Sequence, residues 1–138
     1  MTKLILWATG IISAIIIIAA LGQHPSTPVD PHTAECRQDF HKCSDNADMI
    51  NNYSKMFDAK YDCKEALSKS VKYGTPEWSW IPFGSFYRGD DYVRTGLVKI
   101  VDKDVKIQNI FGAKVNSIVE CWYDFNKQSA LIVNASNR

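Results

Sequence analysis

The sequence predicts an α+β domain in which a helix, or two, packs on a four-stranded antiparallel meander. Three observations point there. Tyr61, Ala66, Leu67 and Val71 recur at helical spacing in DAKYDCKEALSKSVKYG, apolar and polar residues alternate with period two through much of the C-terminal third, and the links between the alternating segments are short enough for hairpins. Of the 138 residues, roughly the first two dozen stand apart in composition. About 100 remain to fold, enough for one small domain and too few for a multidomain enzyme.

Taken from the N-terminus, LILWATGIISAIIIIAAL (Leu4 to Leu21) runs 18 residues without a charge. As a helix it would be about 27 Å long, close to the hydrocarbon thickness of a bilayer. Lys3 precedes it and the next Lys or Arg is Arg37, so the positive-inside bias predicts a cytoplasmic N-terminus and an exported remainder. Residues 1–22 are therefore expected to be a transmembrane anchor in the bacterial inner membrane, with the domain in the periplasm. Ala20 and Gly22 sit at the spacing a signal peptidase reads, which makes cleavage and secretion the alternative. Residues 23–33 contain Pro25, Pro28 and Pro31 and read as a stiff extended spacer. Residues 34–138 form the expected extracytoplasmic domain.

Within that domain, the segment from Thr33 to Phe57 is polar and partly helical by pattern, with only a patchy apolar stripe. The helix around Cys63 is better marked, with Asp58 as a possible N-cap and Gly74 just past its end. Alternation then appears in DYVRTGLVKIV, VKIQNIF and KVNSIVECWYDF, joined by DKD and GA. ALIVNA follows the polar turn NKQS as the last strand. Such a sheet has one face to bury, and the Cys63 helix is the available cover.

Four cysteines in a small exported domain favour disulfides over thiol chemistry, and three pairings are open to Cys36, Cys43, Cys63 and Cys121. The expected set is Cys63–Cys121, stapling helix to sheet, with Cys36–Cys43 as a local second bridge. On one unbroken helix the latter two would lie about 10 Å apart, beyond disulfide reach, so the bridge requires that segment to bend. Cys121 and Trp122 must face opposite sides of their strand. Trp122 is then either beneath the helix or on the open sheet face.

Pro76 to Gly96, PEWSWIPFGSFYRGDDYVRTG, concentrates large rings between two prolines and three glycines. Trp78, Trp80, Phe83, Phe86, Tyr87 and Arg88 are the candidate binding surface. The competing expectation is that the rings form a lid closing a small core, since aromatics bury more area than aliphatic residues. Left exposed together, they would mark a partner site.

Little else carries chemistry. His24, His32 and His41 all precede the helix and sheet, so a Ser-His-Asp or Cys-His set within them is excluded by composition. His32, Cys36, His41 and Cys43 are possible zinc ligands but lack knuckle spacing, and no metal is expected. Glu77, Asp90 and Asp91 flank the aromatic run, where paired acids could work a glycosidic bond beside a stacked sugar. The simpler expectation is a solvated turn, and no catalytic residue or cofactor is assigned. The 16 basic and 15 acidic residues leave no net field beyond Lys3, which argues against nucleic acid as a partner.

CKEALSKSVKYGTPEWSWIPFGSFYRGDDYVRTG followed by QNIFGAKVNSIVECWYD resembles a family of small exported or membrane-anchored bacterial proteins of uncharacterised activity. The resemblance spans roughly Cys36 to Val133 and rests on Cys63 with its helix, the Pro76–Phe83 run, the Gln108–Ala113 turn and Cys121. It too implies a Cys63–Cys121 pairing, and it lends no catalytic residue or substrate. The function expected is a membrane-tethered module that recognises an envelope protein or polymer. An immunity or superinfection-exclusion factor, inhibiting an incoming toxin or phage component, is the alternative.

Overall fold

The computed structural model describes residues 30–88 and 90–137. The apolar run 4–21 and the spacer as far as residue 29 lie outside them. Among the described residues no helix is long and apolar enough to cross a membrane.

Helix α1 (Pro31–Gln38) begins inside the stretch read as spacer. Pro31 suits a first helical turn because its missing N–H would find no partner there, and the Asp30 carboxylate accepts from the His32 amide at 2.9 Å. At Asp39 the backbone turns extended before a 3-10 turn at Phe40–Lys42. That bend brings the Cα atoms of Cys36 and Cys43 to 4.4 Å, and the two are disulfide-bonded. Helix α2 (Asn46–Asn52) is capped by Asp45.

Helix α3 (Met56–Ser70) is the cover of the sheet. It starts two residues before Asp58, which lies in its first turn, and ends at Ser70. Gly74, at φ 62°, belongs to the loop beyond. The buried ridge is Met56, Ala59, Cys63 and Leu67, not the stripe through Tyr61. Two positions along a helix is about 200° of rotation, so Tyr61 points away from the side that buries Ala59.

The sheet is antiparallel, four-stranded and ordered β1-β2-β3-β4: β1 (Ser85–Phe86), β2 (Leu97–Gln108), β3 (Lys114–Asp124) and β4 (Ser129–Asn137). Its membership differs from the sequence expectation in two places. DYVRTGLVKIV is not one strand, because the Asp91 carboxylate caps a short helix α4 (Tyr92–Thr95) that Gly96 ends at φ 69°. A Cβ on Gly96 would lie 2.9 Å from the Phe40 ring and closer still to Asn126, so the turn is also a point of close packing. DKD is not a hairpin, because Asp102 turns into the core and the register shifts between Asp102 and Val105 within one long strand. The strand so lost is replaced from the aromatic run. The GA turn holds: Gly112 adopts φ 83°, and the Asn109 carboxamide accepts from the amides of Phe111 and Ala113, both at 3.0 Å.

Cys63 of α3 is bonded to Cys121 of β3, Cα atoms 5.9 Å apart. Around this staple lie Val98, Ile100, Val105, Val119 and Leu67, all fully buried. Each contributes roughly 1.5–3 kcal/mol of apolar burial. The N-terminal elements close one end of the core with rings: Tyr53 meets Phe125 edge-on at 5.0 Å, and Phe40 stands 5.7 Å from Tyr53. Trp122, opposite Cys121, is on the open face with the Lys99 ammonium 4.8 Å over its ring.

Candidate functional site

The aromatic run is the broken edge strand of the sheet. At its start Glu77 exchanges both backbone hydrogen bonds with Lys106, at 2.9 Å each. At its end Ser85 and Phe86 pair with Val101 and Ile100, and the Tyr87 amide continues to the Lys99 carbonyl. Between these two anchorages the run leaves the sheet as a loop, opposite the irregular stretch of β2. Buried Asp102 holds the loop at both ends, accepting from the Phe83 amide at 3.2 Å and the Ser79 hydroxyl at 3.4 Å while also binding the Asp104 amide at 3.0 Å. Three donors on one buried carboxylate make the charge tolerable there.

Held this way, the rings separate. Phe83 is fully buried and stands 6.0 Å from Trp78. Trp78 and Phe86 are half-buried against the core. Tyr87 donates its hydroxyl to Glu120, a contact that with burial raises the phenol's pKa, and Arg88 is exposed. Trp80 is 96% exposed and Ile81 62%. The lid and the surface are therefore different residues of one run: Phe83 closes the core, and the tip Trp80–Ile81 is pushed out of it.

The tip faces a second stripe of α3. Phe57, Lys60, Tyr61 and Lys64 follow the i, i+3, i+4, i+7 rule, on a side of the helix away from the buried ridge. Phe57 is 76% exposed and Tyr61 57%. With Trp80, Ile81 and Pro82 opposite them, they line a cleft of about 300 Å³. Two lysines flank it with their stems laid over rings: the Lys64 ammonium is 5.1 Å from the centre of Trp78, and that of Lys60 is 5.3 Å from Phe86. Of the six residues singled out from sequence, only Trp80 lines this cleft. Tyr61 fits the apolar core spacing equally well, which hides the helix half of the cleft from sequence, although Phe57, Lys60, Tyr61 and Lys64 recur at i, i+3, i+4, i+7.

Of the three carboxylates weighed as acids, Asp90 and Asp91 lie side by side, and Glu77 is held apart from them. Glu77 pairs with Lys114 and, at 3.9 Å, with Lys106. Asp90 pairs with Lys99 at 3.1 Å and Asp91 with Arg94 at 2.9 Å. Lys99 and Lys106 are seven residues apart on β2, roughly 20 Å, far beyond the separation of a glycosidase pair. The Lys114 hydrogen bond holds Glu77 below the usual carboxylate range, and the Arg94 amide does the same for Asp91. A broad depression of about 700 Å³ does lie beside Asp90 and Asp91. Its polar groups are occupied with structure: Asn46 donates to the Asp90 carbonyl and accepts from the Tyr92 amide.

The histidine–cysteine cluster is likewise divided. Cys36 and Cys43 lie with Asp48 in a group whose ligand atoms are within 4.8 Å of one another, but both sulfurs are committed to the disulfide. His32 stands 3.6 Å from Asp48, and His41 Nδ1 is 3.0 Å from the Val93 carbonyl. Hydrogen bonding by the Ser44 amide lowers the Asp48 pKa.

Compared with known proteins, the chain matches no family model, no curated protein and no solved structure.

Proposed function

We propose that the protein is a membrane-tethered binding module of the bacterial envelope, recognising an envelope protein or polymer through the cleft between α3 and the Trp80 loop. The observation that carries this reading is the exposure of Phe57, Tyr61, Trp80 and Ile81 around one concavity. Leaving such rings in water forgoes roughly 1.5–3 kcal/mol apiece. Ile110, Phe111 and Leu131 are exposed too, but Phe57, Tyr61, Trp80 and Ile81 alone among these converge on one cleft, an arrangement that a partner explains better than excess. The apolar run 4–21 supplies the tether and the two disulfides suit an oxidising compartment.

Affinity capture from a bacterial envelope extract, run with wild type and Trp80→Ala side by side, tests the proposal. It expects a component retained by wild type and lost by the variant. Several envelope proteins or a polymer would fit a scaffold, and one stoichiometric protein would fit the inhibitor class. Equal retention by both chains would overturn the assignment to this cleft.

A further inference from the structure

We propose that the cleft receives an acidic polypeptide segment, in which an apolar side chain enters the notch between two carboxylates that pair with Lys60 and Lys64. This rests on the cleft being the binding site and adds the chemistry of its occupant.

Charge is the first argument. Five lysines, Lys69, Lys99, Lys106, Lys114 and Lys127, have a carboxylate within 4.0 Å. Among the described residues Lys60 and Lys64 have none, as is also true of Lys42, Lys55, Lys72 and Lys103, but these two alone line the cleft, where they lie over Phe86 and Trp78. The ring contacts hold both ammonium groups beside the cleft while leaving N–H donors to spare. No Asp, Glu, Asn or Gln lines the cleft. A sugar would need such acceptors for its hydroxyls, whereas a carboxylate needs only the cations.

Spacing is the second. Phe57 with Tyr61 and Lys60 with Lys64 form two rows, each of i, i+4 geometry, about 6 Å between members along the helix axis. In an extended peptide, alternate side chains recur about every 6.6 Å and successive ones point to opposite sides. A strand laid between the rows would put acids at positions i and i+2 on the lysine row and the intervening apolar residue on the ring row. The match is to an acidic–apolar–acidic pattern. Concavity is the third: a notch of about 300 Å³ accommodates a side chain, while a flat lipid surface would leave it unfilled.

The test uses the full-length protein in zwitterionic lipid nanodiscs, following the Trp80 indole N–H resonance. Three capped synthetic peptides are titrated to millimolar concentration, with Glu-Leu-Glu, Gln-Leu-Gln or Lys-Leu-Lys centres. The acidic peptide should shift Trp80 saturably, with the neutral one at least tenfold weaker. The double variant Lys60→Glu/Lys64→Glu should reverse the order in favour of the basic peptide. Lys60→Gln/Lys64→Gln, a milder change, should erase the preference with the fold intact by circular dichroism. Equal binding of all three peptides would overturn the charge inference and leave the cleft reading standing. If no peptide moves Trp80, the acidic-segment inference is overturned, and loss of envelope capture alone would then decide the cleft. A shift produced by phosphatidylglycerol discs and by no peptide would assign the lysines to lipid and overturn the inference as well.

Discussion

The Asp102 carboxylate accepts the backbone amide of Phe83 at 3.2 Å, and through that bond a strand irregularity becomes the foundation of a surface loop. Asp102 replaces the sheet partner that the run lacks between Glu77 and Ser85. It also holds Phe83 in the left-handed region, φ 52°, which directs the ring inward. Asp102→Ala should therefore destabilise the domain by about 1.5–3 kcal/mol, the range for hydrogen bonds to charged groups. Denaturant melts would measure it, and Asp102→Asn, which keeps an acceptor, should lose less.

Phe83 and Trp80 should behave in opposite ways although only two residues separate them. Phe83→Ala empties a fully buried site and should cost about 3–5 kcal/mol. Trp80→Ala, at a side chain almost wholly in solvent, should stay within about 0.5 kcal/mol of wild type. A large loss of stability at Trp80 would mean that the loop packs elsewhere than described.

The class of fold was legible in the sequence, but the membership of the sheet was not. Period-2 alternation marks a strand without saying whether DKD breaks it, and only the burial of Asp102 against Phe83 decides that β2 runs on. The short helix at Tyr92–Thr95 interrupts the same alternation because Asp91 and Gly96 supply both caps, a local signal that the pattern outweighed. Both disulfides form as expected. Of the cleft, Trp80 was visible from its company of rings. Tyr61 was misassigned because an apolar residue on a helix is counted toward the core by default, and its exposure depends on which side of α3 faces the sheet.

The bridges should contribute unequally. On the loop-entropy account, removing Cys63–Cys121, which closes 58 residues, should cost about 4 kcal/mol. Removing Cys36–Cys43, which closes 7, should cost about 2 kcal/mol. Paired Cys→Ser variants in denaturant melts check the order. A larger loss from the local bridge would show that α1 and α2 contribute more to folding than the helix–sheet staple.

Alkaline pH should weaken the fold through two phenols. Burial, the leading cause in both, pushes Tyr92 and Tyr123 up to about 12 from 10.0, with the Asp62 carboxylate adding to Tyr123. A raised folded-state value means the fold prefers the neutral phenol. The stability it contributes is complete below pH 10 and is lost as pH rises through 12. Phenolate absorbance should show these two tyrosines titrating late, near 12, and Tyr92→Phe should remove part of the alkaline loss.

The cleft is the centre of this account, and in-cell photo-crosslinking reads it most directly. A benzophenone amino acid placed at Ile81, beside the notch, and in parallel at exposed Leu131 on β4, reports which surface meets a partner. The account predicts a discrete adduct from position 81 that disappears when Lys60 and Lys64 are both changed to Glu, and none of matching mass from position 131. Adducts from position 131 alone, or the same adduct from both, would contradict it.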